Sequence, residues 1–391
     1  MAETLEKPEI SFTPLQIGYL VNCPAPIDIG ETNEAALTIF RADPNLEAMP
    51  VIKEGKIIGV IPARDMLATF DGVSARMRAW QRELHLFVIP ARATVAATTF
   101  ISTLMDGFFE GEGGKNAAWF ILEYKHQYLG IVSLRNMLKH TNSLRAQDLA
   151  QAREIQKNLL EKAVIDDKRI KLLFYNKMAN EIGGDFYQVF QSWKGQYMVG
   201  CFDVAAQNIS GSITAMALGA CFETLVLSDF DGYAERMTEF INTLVRDVNP
   251  KGLHVGAVLF YIDFSTMTVK IHSCGFSRIH IFVSADNKQL SYKSLEPNMP
   301  PLGQHEELDV DKGQIVSIKK GLRIATHTNG LPNMTGFSGE KYGEKQAFNL
   351  LKTIHTLDQN SIPALMDKEI NEWLGEAPLT DDITLMDMRF V

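Results

Sequence analysis

Apolar and polar positions divide the chain into three zones of different period. From about residue 15 to 140, short apolar runs alternate with polar turns, and one arrangement occurs twice. "MPVIKEGKIIGVIPARDML" (49–67) and "WFILEYKHQYLGIVSLRNML" (119–138) both read as a strand, a polar turn, a strand containing Gly, and the start of a helix. Gly59, Arg64, Asp65, Met66 and Leu67 match Gly130, Arg135, Asn136, Met137 and Leu138. Each copy follows a helix-forming stretch, "TNEAALTIFRAD" (32–43) and "TVAATTFISTLMDG" (94–107), with Thr32 and Thr94 as the expected N-caps. Two copies of one small unit, about 15–75 and 85–140, predict two halves packed on a shared core behind a tail at 1–14.

From 141 to 166, "TNSLRAQDLAQAREIQKNLLEKAVID" contains no Gly or Pro and is rich in helix formers. Ala146, Leu149, Ala152, Gln156, Leu159 and Ala163 recur at three- and four-residue steps, an apolar stripe interrupted by Gln156. A short coiled coil and a helix docked on its own domain both satisfy this spacing.

From 167 to 391, strands alternate with helices. "YMVGCFDV" (197–204) predicts a buried strand and "ISGSITAMALGACFETLVLSDF" (209–230) an apolar helix. "VGAVLFYIDFSTMTVKIHSC" (255–274) predicts a hairpin around Phe264-Ser265-Thr266. "DDITLMDMRFV" predicts a last strand with Thr384, Met386, Met388 and Phe390 on one face. The order strands, helix, strands, helix, strand favours α+β layers. "LRIATHTNGLPNMTG" (322–336) reads as a strand that enters a turn at Asn329-Gly330, where positive φ is expected.

Totals narrow the picture a little. The 391 residues suggest two or three domains, and a net charge of -9 argues against a nucleic-acid binder. Cys23, Cys201, Cys221 and Cys274 form neither a disulfide framework nor a zinc pattern. The N-terminus has no signal-peptide character and no apolar run is long enough to span a bilayer, so a cytoplasmic protein without a membrane partner is expected.

Carboxylates carry the candidate chemistry. Asp185 follows two glycines at a strand start, Asp203 ends the strand "YMVGCFDV", and Asp381-Asp382 open the last strand. Singly, each is an ordinary turn or solvated residue. Converging, they supply the oxygen ligands that Mg²⁺ or Mn²⁺ prefer.

That ordered set resembles the metal-dependent protein serine/threonine phosphatases (PPM, or type 2C), in particular their SpoIIE and RsbU branch. The resemblance spans 150–391 through "AREIQKNLL" (152–160), "GGDFYQ" (183–188), "CFDVAAQNISGS" (201–212), "SCGFSRIHIF" (273–282), "PPLG" (300–303), "KYGEKQAFNLL" (341–351) and "DDITLMDMRF" (381–390). It implies an αββα sandwich with a dinuclear Mn²⁺/Mg²⁺ site, one ion being an alternative. Asp203 would bridge the metals with help from the Val204 carbonyl, and Asp185 and Asp382 would flank it. "THTNG" falls where the family has Thr-Asp-Gly, so Asn329 stands at a ligand position as a neutral amide. Ala205, Ala206, Gln207, Asn208, Gln188, Cys274 and Phe276 also depart from the family pattern.

The N-terminal repeat resembles a tandem cystathionine-β-synthase (CBS) pair. Such pairs bind adenine nucleotides through a hydroxyl and an Asp. Here Asp65 is present with Pro62 at the hydroxyl position, whereas Ser133 is present with Asn136 at the Asp position. The joined expectation is a CBS-regulated, homodimeric phosphatase of phosphoserine or phosphothreonine on a partner protein, of the anti-sigma antagonist type. The alternatives are a pseudophosphatase that binds partners without chemistry, and a nucleotide-binding regulator.

Overall fold

The computed structural model of the chain describes residues 11–70, 83–90, 94–110, 119–161, 163–192, 195–206, 208–227, 234–248, 253–284, 290–310 and 313–391. Residues 1–10 of the expected tail and Gln207 therefore lie outside the described residues. The chain divides into two compact units, Met1–Gln147 and Asp148–Val391.

The repeat is realised in the N-terminal unit as two three-stranded sheets. One holds β1 (Ile27–Asp28), β2 (Ala48–Lys53) and β3 (Lys56–Pro62), with helices α1 (Asn33–Ala42) and α2 (Ala63–Thr69). The other holds β4 (Thr94–Ala96), β5 (Trp119–Tyr124) and β6 (Gln127–Ser133), with α3 (Ile101–Glu110) and the long α4 (Leu134–Leu160). Both hairpins turn through two residues of positive φ, Glu54-Gly55 and Lys125-His126, matching the right-handed strand twist. Matched residues take matched environments: Met66 and Met137 are fully buried, Leu67 and Leu138 exposed. Ala48, Val60, Ile121 and Ile131 form a core shared between the copies. Asn22 bridges to Ile131 and Ile89 to Val60, so the segment leading into each copy is stitched onto the other.

Two expectations are corrected here. Thr32 does cap α1, its hydroxyl accepting the Ala35 N–H at 3.2 Å, but Thr94 caps nothing. The β-branched start of 94–107 pairs parallel with β5, Thr94 opposite Ile121, and the helix begins only at Ile101. The helix expected over 141–166 spans Leu134–Leu160 instead. It runs straight on from the second copy because no Gly or Pro interrupts it. It stops where Ala163, the last member of the predicted stripe, turns into the main core. The stripe itself is unevenly covered: Ala146 is exposed, Leu149, Ala152 and Leu159 are half-buried, and Gln156 and Leu160 are buried.

The C-terminal unit is the expected sandwich of two antiparallel sheets between helix pairs. The first sheet has the order β14-β11-β10-β9-β8, from β14 (Gln314–Ser317), β11 (Thr268–Cys274), β10 (Val255–Asp263), β9 (Tyr197–Val204) and β8 (Asp185–Gln191). The second has the order β13-β12-β15-β16-β7, from β13 (Leu290–Leu295), β12 (Ile279–Ser284), β15 (Leu322–His327), β16 (Ile383–Phe390) and β7 (Ile170–Lys177). Helices α5 (Asn208–Leu227) and α6 (Ala234–Val248) cover the first sheet. The short α7 (Gly330–Asn333) precedes α8 (Gly343–His355) and α9 (Ile362–Leu374), which cover the second.

Period two explains the layering. In β16, Met386, Met388 and Phe390 join the inter-sheet core, while Ile383 and Leu385 face the core under α8 and α9. Asp387 lies on that second face and is fully buried. It pairs with the buried Arg323 and with Arg389 at 2.6 Å. The same two guanidinium groups donate to carbonyls at the end of α8 and just beyond, Arg323 to Leu351 O and Arg389 to Ile354 O and Leu357 O. Two cations at a helix C-terminus complement its dipole, and one anion between them keeps both in place.

Removing that anion leaves the buried Arg323 and the half-buried Arg389 without their counter-charge. Asp387→Ala is expected to lower the unfolding free energy by about 3–5 kcal/mol, measured by urea denaturation; a loss under about 1 kcal/mol would contradict the pairing.

Candidate metal centre

The strand ends at one edge of the sandwich bring the carboxylates together. Cross-strand register sets Asp185, the first residue of β8, directly opposite Asp203 near the end of β9. In the other sheet, β15 ends just before Thr328 and β16 starts just after Asp382. Asp185, Asp203, Val204, Asp381 and Asp382 line one small cleft. Its free space, about 10 Å³, is that of a single water or ion. A larger cavity of about 490 Å³ lies at the opposite end of the second sheet, lined by Lys171, Arg323, His355 and Arg389. Its arginines are committed to Asp387 and the α8 carbonyls, so the chemistry belongs to the smaller cleft.

The adjacent aspartates do different work. Asp382 Oδ1 accepts the Ala179 N–H at 2.8 Å, and its Oδ2 accepts Gly184 N–H at 2.7 Å and Asp185 N–H at 3.4 Å. It is thus a buried anchor for the Gly183-Gly184 loop. A Cβ on Gly183 would stand 2.3 Å from Asp382 Oδ2, which is why glycine is needed there. Asp381 is half-buried on the cleft wall. Neighbouring residues of an extended chain point to opposite sides, so Asp382 anchors the glycine loop while Asp381, whose Oδ1 accepts the Asp382 N–H at 3.0 Å, lines the cleft. Asp382, the ligand expected from the sequence, has both carboxylate oxygens engaged by backbone N–H groups.

Two threonines unflagged by sequence complete the site. The hydroxyls of Thr328 and Thr384 both donate to Asp185 Oδ2, at 2.8 and 2.7 Å. Thr384 N–H also donates to Thr328 Oγ1 at 2.9 Å within the second sheet, and the two hydroxyl bonds to Asp185 link that sheet to the first. The available signal was Thr384 on the inward face of a strand otherwise lined by Met and Phe. The other missed residue is Gln156, whose carboxamide bonds Gly183.

Asn329 meets the cluster through its backbone, its N–H donating to Asp203 Oδ2 at 3.2 Å. The expected positive-φ turn is absent: Asn329 has φ -65 and opens α7. Gly330 is required by space instead, since a Cβ there would lie 2.0 Å from the Asp382 carbonyl. The Val204 carbonyl accepts from Ala206 N–H at 2.6 Å. The CBS-type residues lie in the other unit. Ser133 Oγ accepts the Asn136 N–H at 3.1 Å, Asn136 Nδ2 reaches Glu47 at 3.2 Å, and Asp65 is exposed.

Electrostatically the cluster is crowded with like charge. Burial, then the charges of Asp203 and Asp382, hold the Asp185 pKa well above the usual carboxylate range, against the pull of the two threonine hydroxyls. Burial lifts Asp203 to about 6, with Asp381 and Asp382 adding to the rise and the Asn329 N–H and His254 opposing it. Burial and Asp382 also raise Asp381. Among the described residues no three ligand side chains are already gathered around one point; Asp185 and Asp203 are each held through Oδ2, leaving Oδ1 for another partner. Hard oxygen donors whose charge is poorly compensated fit a divalent cation in kind.

The family model described as Stage II sporulation protein E (SpoIIE) matches residues 194–391. The chain belongs to the SpoIIE family. A CBS domain model matches residues 22–72, so the SpoIIE-family domain follows a CBS domain. Among solved structures, the SiaA-PP2C domain of Pseudomonas aeruginosa is similar at 18% identity and a TM-score of 0.55, over 64% of this chain and 99% of that one. It shows the shared PP2C-type phosphatase fold. The phosphatase domain and regulatory fragment of SpoIIE from Bacillus subtilis align at 14% identity and a TM-score of 0.46, over 58% and 64%. RsbX in complex with magnesium aligns at 15% and 0.43, over 58% and 98%. No curated protein matches the chain. No described helix is long and apolar enough to cross a membrane.

A carboxyl whose folded pKa exceeds its unfolded value stabilises the fold below the unfolded pKa, near 3.9, and that contribution is lost as pH rises through the folded pKa. With Asp203 at about 6, the metal-free chain should lose stability between pH 4 and 7. Asp203→Asn should then raise its stability at pH 7.5 by on the order of 2 kcal/mol, read by thermal unfolding in EDTA. A destabilised variant would contradict the crowding.

Proposed function

We propose that this SpoIIE-family protein is a metal-dependent phosphatase that hydrolyses phosphoserine or phosphothreonine on a partner protein in bacterial partner-switching signalling. The observation that carries this reading is the convergence of Asp185, Asp203 and Asp381 on one ion-sized cleft. Asp185 and Asp203 contribute Oδ1, and Asp381 its carboxylate, as ligands. Asp382 keeps the loop beneath them fixed, Thr328 and Thr384 orient Asp185, and the Asn329 N–H orients Asp203. When bound, Mn²⁺ or Mg²⁺ supplies an acidified water and offsets charge on the phosphoryl oxygens. In the hydrolysis the oxygen of water would form a bond to phosphorus as the bond to the serine or threonine oxygen breaks, with one water proton passing to that oxygen and phosphate leaving.

Asn329 favours a second reading, a pseudophosphatase that binds a partner without turnover. Its amide brings no charge where a carboxylate would add one, so the cluster falls short of full compensation for two ions. Occupancy by one ion, or by two only at high Mn²⁺, follows from the same count. Regulation through the CBS pair, with an adenine nucleotide near Asp65, Ser133 and Asn136, a homodimer, and a cytoplasmic setting belong to the same proposal. The division into CBS copies over 15–140, a linking helix and a phosphatase domain does too.

Phosphate release from a phosphoserine peptide, with Mn²⁺ and Mg²⁺ titrated, tests the enzyme reading. Turnover is expected to require metal and to fall at least 100-fold in Asp203→Ala. Asn329→Asp is expected to lower the Mn²⁺ concentration needed for half-maximal rate about tenfold. No turnover by the wild type at any metal concentration selects the pseudophosphatase.

A further inference from the structure

The cavity at the far end of the second sheet takes no part in the proposed reaction. Its volume, about 490 Å³, is that of a small-molecule site. Four basic residues line it: Lys171 at the start of β7, Arg323 at the start of β15, His355 at the end of α8 and Arg389 near the end of β16. Leu322 and Phe390 add apolar wall, and Gln359 and Asn360 add carboxamides.

Positive charge is left over here. Asp387 offers one negative charge to two guanidinium groups, and both its oxygens are taken: Oδ2 by Arg323 Nε, and Oδ1 by Arg389 Nε at 2.6 Å and Gln359 Nε2 at 2.8 Å. Lys171 is exposed and, among the described residues, has no ion-pair partner. Asp358 lies on the rim, its Oδ1 accepting the Asn360 N–H at 2.9 Å. Val391 also lines the cavity, its N–H donating to Arg169 O. Donors are left over as well. Of the five N–H groups of a guanidinium, Arg389 spends three, on Asp387, Leu357 O and Ile354 O. Arg323 spends two, on Asp387 and Leu351 O, and its Nη2 is buried without a partner. A buried unmade donor is costly, the more so on a charged group. The His355 ring registers the same excess. Burial holds its pKa below the usual value, and Arg323 and Arg389 each lower it by more than Asp387 raises it.

We propose that this cavity binds a small organic oxyanion, a carboxylate or a phosphate monoester, whose charged group meets Lys171, Arg389 and Asn360 and whose carbon body lies against Leu322 and Phe390. Guanidinium groups suit both oxyanions, because their planar N–H forks match two oxygens at once. A bare ion would leave most of the space and the apolar wall unused. The site is independent of the metal reading. The carboxylate cleft repels the same ligand when no metal is present, which keeps the two sites distinguishable.

Calorimetry on the full chain in EDTA tests this, with phenyl phosphate, benzoate, inorganic phosphate and neutral benzyl alcohol as probes. Phenyl phosphate or benzoate is expected to bind, whichever is tighter naming the oxyanion preferred. Inorganic phosphate is expected to bind at least fivefold more weakly than that probe, and benzyl alcohol not measurably. Lys171→Glu reverses an exposed charge and is expected to weaken the tighter probe about tenfold. Asn360→Asp places a negative charge at the same rim and is expected to act in the same direction; it serves alone if the Lys171 variant does not fold. No heat from either organic oxyanion at millimolar concentration overturns the proposal. So does binding that both substitutions leave unchanged, which puts the ligand elsewhere on the chain. Benzyl alcohol or inorganic phosphate binding as tightly as the organic oxyanions also overturns it, since the cavity would then read the carbon body or the charge alone.

Discussion

The Asp382 carboxylate, held by the backbone N–H groups of Ala179, Gly184 and Asp185, is the constraint on which the site depends. It belongs to the approach to β16 in the second sheet, and the N–H donors it accepts lie between the end of β7 and the first residue of β8 in the first sheet. It joins the edges of the two sheets together with the threonine hydroxyls on Asp185 and the Asn329 N–H on Asp203. With it, Asp185 lies within reach of Thr328 and Thr384, and Asp381 faces Asp203 across the cleft. The first glycine of the pair before Asp185 is a consequence of this contact, because Asp382 leaves no room for a side chain at Gly183, while the second is crowded by the Ala206 and Val204 carbonyls.

The cluster works against the fold that builds it. Asp185, Asp203 and Asp381 all have raised pKa values, and burial is the largest cause in each. Neutral donors offset part of the cost, through two hydroxyls on Asp185 and one peptide N–H on Asp203. The rest is carried by the inter-sheet core around Phe202, Phe260 and Met386. Stability given up at one edge in favour of binding is common where charge must be held ready.

Much of this was legible in the sequence. The doubled pattern around Gly59 and Gly130 gave two matched halves, and alternation along 383–390 gave a strand with Thr384, Met386, Met388 and Phe390 on one face, although its other face proved to be buried as well. The glycine pair before Asp185 and the strand ending at Asp203 pointed to the right edge. What sequence obscured was direction. The Asp381-Asp382 pair does not say which acid turns inward, and only the N–H groups that meet Asp382 decide it. Asn329-Gly330 suggested a left-handed turn, whereas the glycine answers to the Asp382 carbonyl packed against it. Thr94 looked like a cap because a helix follows, but a free strand edge on β5 claimed it first. Gln156 looked like a blemish in an apolar stripe because its partner is 27 residues away.

The most direct test of the account is an anomalous difference map, collected at the manganese edge from crystals of the full chain grown with Mn²⁺. The account predicts density in the cleft coordinated by Asp185, Asp203 and Asp381, with Asp382 still bound to the Gly184 N–H. Density ligated by Asp382 in place of Asp381, or an empty cleft at saturating Mn²⁺, would contradict it.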